Sequence, residues 1–478
     1  MALAKDEGVT TSGAPPLLDP RLTREYLLRQ RACPVRYDDD VVVVAVGERY
    51  SLSAVEAIAD LAARRPETEA LSDSELDQLI ERLSTAREPL GAVSDDDGDE
   101  LSLEDLRELA NQPPVARYVN LLLRDAYDLA ASDVHLEASR EGLVARYRID
   151  GVLREALPAP RALHFAVVSR LKAMASLDVT ERRRPQDGRM RVRLADRDLD
   201  VRVSSVPTIH GESVVLRFLD AGGRPVDLAA LGMPNSVRTS MAQSAMRPHG
   251  LVLVTGPTGS GKTTTLYAAM QLRSAGAEKL ITVEDPVEYD LPRVTQVPVH
   301  RQTGMTFAAV LRTILRQDPD VVMIGEMRDR ETAEVAVQAA MTGHLVLSTL
   351  HTNDALGAID RLADLGVPRY LIASTLELIV AQRLVRRVCS TCAGRTRSQK
   401  AEEPCSSCRG SGFKGRTGVF EAISVNSGLR EAMALGADTA TIERLAVANG
   451  YLRMRDHGAE LCSLGQTTTA ELDRVIGS

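Results

Sequence analysis

The sequence predicts an α/β multidomain chain whose largest sheet is mostly parallel and carries a phosphate-binding loop. Three observations lead there. The octet Gly256-Pro257-Thr258-Gly259-Ser260-Gly261-Lys262-Thr263 satisfies every fixed position of G-x-x-x-x-G-K-[ST]. An apolar run, Leu251-Val252-Leu253-Val254, precedes it, and a helix-compatible stretch follows over 264–272. From residue 228 onward, strand-like runs alternate with helical patterns, as parallel sheets require. Strand, glycine loop and helix is the context this motif needs. Glycines let consecutive N–H groups turn inward around an anion. The helix that follows points its positive end at the same phosphates. Lys262 supplies a point charge for the β/γ-phosphates, and the Thr263 hydroxyl, with Thr264 beside it, suits Mg²⁺ coordination.

The 478 residues suffice for roughly three domains. Apolar residues at 44 % and charged residues at 26 % are ordinary for a globular chain. Trp is absent and aromatics are 3 %, so cores must be aliphatic and stacking platforms for single-stranded nucleic acid are scarce. A net charge of −8 provides no basic footprint, and no nucleic-acid partner is expected. No apolar run approaches the ~18 residues of a bilayer span, and the N-terminus lacks the basic-then-apolar layout of a secretory signal. The expected location is cytoplasmic, with any membrane association made through partners.

Residues 1–20 are Gly/Pro/Thr-rich and expected to be disordered. Over 21–90 a small α/β unit is expected, with helices at 21–31, 53–64 and 72–84 and a strand at 41–46. The stretch 91–104 contains Asp95-Asp96-Asp97-Gly98-Asp99-Glu100, whose repulsion suits a linker. A domain over 105–220 reads as a helix at 115–131 followed by strands at 142–148, 189–194, 199–205 and 214–218. Then come a hinge (221–228), a core carrying the phosphate loop (229–385), a cysteine-rich insert (386–416) and a mainly helical tail (417–478).

A phosphate loop needs acids for the metal and the attacking water. One candidate is Glu284, at the end of the apolar run Ile281-Thr282-Val283. The other is Glu326, at the exit of Val321-Val322-Met323-Ile324-Gly325. The second run looks like a Walker B strand with Gly325 where many such strands carry Asp, which leaves Glu326 to orient water. A third strand, Leu345 to Leu350, has His344 before it and His351 after it, and both histidines are candidate catalytic residues. Ser348, Thr349 and His351 are placed to sense a γ-phosphate. Cys389-x-x-Cys392 and Cys405-x-x-Cys408, twelve residues apart, read as a tetrahedral Cys₄ Zn²⁺ site.

Together these segments resemble the secretion ATPase superfamily. The resemblance rests on the Glu284 box, the stretch LRTILRQDPDVVMIGEMRD over 311–329, the His344–His351 box and the upstream pieces Arg184-Pro185-Gln186-Asp187-Gly188-Arg189 and Gly211-Glu212-Ser213. It implies a RecA-like P-loop ATPase core, a PAS-like α+β N-terminal domain, a zinc-binding insert and a helical C-terminal subdomain. It also implies a homo-hexamer hydrolysing ATP to ADP and phosphate. Arg202 and Arg217 would approach the phosphates from one side, and Arg312, Arg316 and Arg328 from the other. Arginines supplied across an interface are worth ~10³–10⁵ in rate. The cysteine insert resembles that of type II secretion ATPases and many pilus assembly motors. The implied role is the motor of type II secretion, peripheral to the bacterial inner membrane. An L-type docking protein would be held by 21–90, and an F-type platform protein would receive the motion. Type IV pilus assembly is the alternative. A nucleic-acid-binding protein of RecA type would need a basic, aromatic face. Arg383, Arg386, Arg387, Arg395, Arg397 and Lys400 do cluster, without an aromatic in 383–400.

Overall fold

The computed structural model describes residues 22–85, 113–219, 227–395 and 405–477, apart from short breaks at 23, 38–39, 63, 141, 157–158, 161–162, 195–196, 275 and 301–302. The expected tail, the acidic linker and residues 221–226 of the hinge lie outside the described residues. The chain divides into two compact units between Leu219 and Asp220.

The first unit contains two sheets. In the smaller, β2 (Val41–Val46) lies between β1 (Ala32–Tyr37), antiparallel to it, and β3 (Arg65–Ala70), parallel to it. Helices α1 (Arg24–Gln30), α2 (Leu52–Ala62) and α3 (Asp73–Thr85) pack on this sheet around Leu27, Val42, Val44, Ile58 and Leu76. α3 starts where a capping box holds it. Ser72 Oγ accepts the Glu75 N–H at 3.3 Å, and Glu75 Oε2 accepts the Ser72 N–H at 3.0 Å. β1 and β3 are not foreshadowed by apolar periodicity; every residue of β3, Arg-Pro-Glu-Thr-Glu-Ala, is exposed.

The larger sheet follows α4 (Pro113–Asp128). Its strands are β4 (Asp133–Ala138), β5 (Gly142–Ile149), β6 (Val152–Glu155), β7 (Ala159–Pro160), β8 (Gln186–Leu194), β9 (Arg197–Thr208) and β10 (Gly211–Leu219). Their order is β6-β5-β4-β10-β9-β8, all antiparallel, with β7 beside β5. This is the expected α+β arrangement. Helix α5 (His164–Met174) packs on it and carries a fully buried lysine. The Lys172 ammonium donates to Glu212 Oε1 and to the Glu181 carbonyl, both at 2.8 Å, and Ser205 Oγ donates to the same carboxylate. Satisfied on several sides, this pair meets the condition on which a buried charge is tolerated.

The second unit is a seven-stranded sheet in the order β13-β12-β14-β15-β11-β16-β17. Its strands are β11 (Gly250–Thr255), β12 (Leu280–Glu284), β13 (Val294–Pro298), β14 (Val321–Ile324), β15 (Leu345–Leu350), β16 (Leu376–Val388) and β17 (Phe413–Ser424). All pairs are parallel except β16–β17. β11, β12, β14 and β15 are buried along their whole lengths, as strands covered on both faces must be. Leu251 and Leu253 of β11 enter one core cluster, Val252 and Val254 the other. The helices around the sheet are α6 (Asn235–Ala245), α7 (Lys262–Gln271), α8 (Phe307–Ile314), α9 (Arg330–Met341), α10 (Leu356–Asp364) and α11 (Arg369–Thr375).

Residues 417–424, expected within the helical tail, instead form the second half of β17. Its partner β16 lies on the other side of the cysteine loop, so no local pattern announces the pairing. The tail is helical only from Ser427, as α12 (Ser427–Ala434), α13 (Thr439–Ala448), α14 (Met454–Ser463) and α15 (Thr469–Ile476). Among the described residues, no helix is long and apolar enough to cross a membrane.

Candidate functional site

The glycine octet occupies the turn from β11 into α7. Its two ends demand glycine. Gly256 has φ 143°, and a Cβ there would lie 2.4 Å from the Gln382 carbonyl oxygen; Gly261, at φ 86°, is the N-cap of α7. Pro257, Thr258 and Gly259 form an exposed crest, while Thr263 and Thr264 are half-buried on the first turn of the helix. Ser260 is buried and its hydroxyl has no hydrogen-bond partner, an unsatisfied donor turned into the loop that a phosphate oxygen would satisfy. Gln382 of β16 braces the loop from below. Its Nε2 donates to the Ser260 carbonyl at 2.6 Å, and its Oε1 accepts from Thr265 Oγ1 at 2.7 Å.

The Lys262 ammonium folds back onto its own loop, donating to the carbonyls of Gly256 (2.8 Å) and Pro257 (2.9 Å). Burial lowers its pKa to about 8; the nearby Glu326 carboxylate opposes that shift and Arg383 adds to it. The protonated ammonium is the form that attracts phosphate. Nucleotide affinity should therefore fall as pH rises through about 8. Binding above that pH should draw in a proton. Calorimetry with ADP at pH 9, in two buffers of different ionisation enthalpy, should report proton uptake, and at pH 6.5 none.

The two candidate acids differ in what surrounds them. Glu284, at the end of β12, is 2 % exposed, and both oxygens are engaged. Thr282 Oγ1 donates at 2.5 Å, Gln296 Nε2 at 3.1 Å, and the Tyr267 hydroxyl closes on the other oxygen. Glu326, just past β14, contacts a guanidinium and an imidazole instead: Arg328 Nε at 2.6 Å and His351 Nε2 at 3.4 Å. Gly325 sits tight against β12. A Cβ there would lie 3.3 Å from the Val283 carbonyl oxygen, so a Walker-type Asp would crowd the neighbouring strand.

The structure thus gathers Lys262, Glu326, Arg328 and His351 at the C-terminal ends of β11, β14 and β15, where open α/β sheets bind ligands. His344 stands apart from this group. It precedes β15, at the opposite end of that strand from His351, and its Nδ1 lies 3.1 Å from the Ala339 carbonyl and 3.3 Å from Thr342 Oγ1. Six residues of strand, about 20 Å, separate the two histidines. Its role is to close the turn from α9 into β15. Arg312 and Arg316 are exposed; the first pairs with Glu331 at 2.6 Å and the second donates to the Arg312 carbonyl. Arg202 and Arg217 stand directly opposite each other on β9 and β10 of the first unit, and Arg217 pairs with Asp133 at 2.8 Å.

Sequence reading missed Gln382, Tyr267 and Thr255. None lies in a motif, and each bonds to a residue of another element. Thr255 Oγ1, just before the loop, bonds to Thr352 Oγ1 at 2.7 Å, beyond the His351 strand. Two of the arginines grouped beside the cysteines are engaged by other parts of the unit. Arg386 pairs with Glu471 at 2.7 Å and lies 4.2 Å over the Phe413 ring, and Arg383 reaches Asn353. Arg397 and Lys400 lie outside the described residues.

Cys389, Cys392, Cys405 and Cys408 converge at the end of the β16–β17 hairpin, all four Sγ atoms within 4.8 Å of one another. Cys389 Sγ lies 4.0 Å from Cys405 Sγ, and Cys392 Sγ 3.6 Å from Cys408 Sγ. Zn–S bonds of about 2.3 Å around a tetrahedron require sulfurs about 3.8 Å apart. The donor set fits zinc in both chemistry and spacing. Burial pushes the Cys389 thiol up, but the N–H groups of Cys392 and Thr391, with the neighbouring thiols, outweigh it and bring it down to about 6.

A glycine loop at a helix N-terminus, a buried lysine inside it and an acid at the exit of a parallel strand two places along the same sheet define a P-loop nucleotide-binding protein. Residues 108–474 match the family described as Type II/IV secretion system protein, and residues 10–90 match the MshEN domain. The chain belongs to the Type II/IV secretion system protein family. It is 46 % identical over 417 residues to type II secretion system protein HxcR of Pseudomonas aeruginosa, covering 85 % of this chain and 89 % of that one. To type II secretion system protein E of Xanthomonas campestris it is 43 % identical, covering 95 % and 84 %. To the type IV pilus assembly ATPase PilB of Myxococcus xanthus it is 38 % identical, covering 95 % and 85 %. Among solved structures it resembles the pilus retraction motor PilT with bound ADP, at 26 % identity and a TM-score of 0.52, covering 74 % of this chain and 95 % of that one.

Proposed function

We propose that this chain is the ATP-hydrolysing motor of a type II secretion system, working as a ring of six copies. The observation that carries the chemistry is Glu326, held with Arg328 and His351 in the field of Lys262. ATP is the substrate. Lys262 leaves the carbonyls of Gly256 and Pro257 for the β/γ-phosphates, and the loop N–H groups and Ser260 hydroxyl take the remaining oxygens. Thr263 would hold Mg²⁺, which supplies charge neutralisation on the phosphates. Water attacks the γ-phosphorus, Glu326 takes its proton, and ADP leaves. Glu284 is saturated by hydrogen bonds and serves to fix β12 against α7 through Tyr267. Arg328 orients Glu326 before attack. Arg202, Arg217, Arg312 and Arg316 stabilise phosphoryl charge across subunit boundaries. Zinc on the four cysteines stiffens the β16–β17 hairpin.

The motor works in the cytoplasm against the inner membrane. Residues 21–90 bind an L-type docking protein, and an F-type platform protein receives the motion that assembles a pseudopilus and exports folded proteins from the periplasm. The type II names and higher identities of HxcR and of protein E favour secretion over pilus assembly. Deleting the gene in its host should leave exoproteins in the periplasm and pili intact. Loss of pili with normal exoprotein release would instead make the chain a pilus assembly ATPase.

A further inference from the structure

Glu421 is a carboxylate that no motif singles out. It lies in β17 and is 4 % exposed. One oxygen accepts the N–H of Ala355, the N-cap of α10; the other accepts the N–H of Met454, the first residue of α14, at 3.2 Å. The Tyr451 hydroxyl bonds to it as well. Helix N-termini leave N–H groups without intrahelical partners. A single buried carboxylate here satisfies one from each of two helices, and so joins their starts.

The α10 end of this staple leads straight to the nucleotide site. His351 Nε2 lies 3.4 Å from Glu326. The Thr352 N–H and hydroxyl bond to Thr255 Oγ1 at 2.9 and 2.7 Å, next to Gly256. Asn353 accepts from Arg383 through its carbonyl (3.2 Å) and side chain (3.1 Å), beside the Gln382 that braces Ser260. Residues 351–355 are therefore tied to the phosphate loop and Glu326 at one end and to Glu421 at the other. A cavity of about 720 Å³ opens beside them, lined by Asn353, Asp354, Arg383, Glu421, Tyr451 and Arg453 among others. Close-packed interiors move as discrete units, and the cavity gives this one room to shift.

We propose that Glu421 is a positioning residue that sets the 351–355 segment, and with it His351 and Glu326, and passes the nucleotide state of the loop to the start of α14. The inference rests on reading the octet as an ATP site. Hydrogen exchange of the full chain, with and without the non-hydrolysable ATP analogue AMP-PNP and Mg²⁺, tests both separately. Protection is expected to rise together at 256–264, 351–357 and 451–458. Protection at the first two with no change at 451–458 overturns the coupling. No protection at 256–264 removes the nucleotide reading and the inference with it. In Glu421→Gln, which keeps the shape but only one acceptor, kcat should fall about 10- to 100-fold, the scale of an approximately 1 Å misplacement. KM should stay within about threefold, because phosphate binding is untouched. Residues 451–458 should no longer respond to the analogue. A variant that turns over like the parent, or one that loses binding and turnover together, overturns the proposal. Exchange in the unaltered chain decides the matter should the variant not fold.

Discussion

Replacing Glu326 with Gln should lower the ATPase rate by about 10²- to 10⁴-fold, the span of a positioned general base, while nucleotide still binds. The loop, Lys262 and Thr263 remain in place, so affinity for ATP is kept or improved. Improvement is the physical expectation: Glu326 is a negative charge close enough to Lys262 to influence its proton affinity, and it repels incoming phosphates. Glu284→Gln is the informative control. Glu284 receives hydrogen bonds from Tyr267, Thr282 and Gln296 in a buried pocket, so its replacement should cost stability first and turnover only in proportion to folded protein. Single-turnover hydrolysis with a fluorescent nucleotide separates binding from chemistry for both variants. If Glu284→Gln bound ATP normally and lost turnover while Glu326→Gln did not, the assignment of the base would be reversed.

Removing zinc should be the largest perturbation of stability. The purified chain should carry about one zinc per chain, released on mercurial modification of the thiols. Structural zinc contributes about 10–16 kcal/mol of binding energy in small zinc peptides, so Cys392→Ser should lower the melting temperature by at least about 5 °C. The effect should spread beyond the loop. β16 enters the cysteine turn directly at Val388, and Arg386, two residues earlier, is bonded to Glu471 of α15. Glu471 is held down to about 2; burial opposes this, but the bonds from Arg474 and Arg386 outweigh it. Disorder in the cysteine turn therefore reaches a buried ion pair that closes the C-terminal helices. A parent chain purified without zinc, whose Cys392→Ser variant melts at the same temperature, would refute a zinc centre.

The sequence by itself determined the features in which chemistry is local. The phosphate loop is contiguous because backbone N–H groups must converge on one anion, so its glycines, Lys262 and Thr263 were legible in order. The two CxxC knuckles were legible because a tight turn brings each pair of sulfurs to a metal. The strand at 41–46 and the buried strands of the parallel sheet were legible because cover on both faces makes them continuously apolar. Tertiary structure alone decided what depends on distant partners. β3 is fully exposed and takes its place through backbone pairing with β2. β17 is a strand because β16 lies beside it. Glu284 and Glu326 look alike in sequence, each an acid at a strand exit. They were separated only when one was found saturated by Tyr267, Thr282 and Gln296 and the other facing Arg328, His351 and the charge of Lys262. His344 and His351 flank one strand symmetrically in sequence, yet strand length puts one at the site and the other at the opposite end of the strand. Hydrogen bonds across a sheet act over a few ångströms in space and over a hundred residues in sequence, as from Gln382 to Ser260, and no local pattern records them.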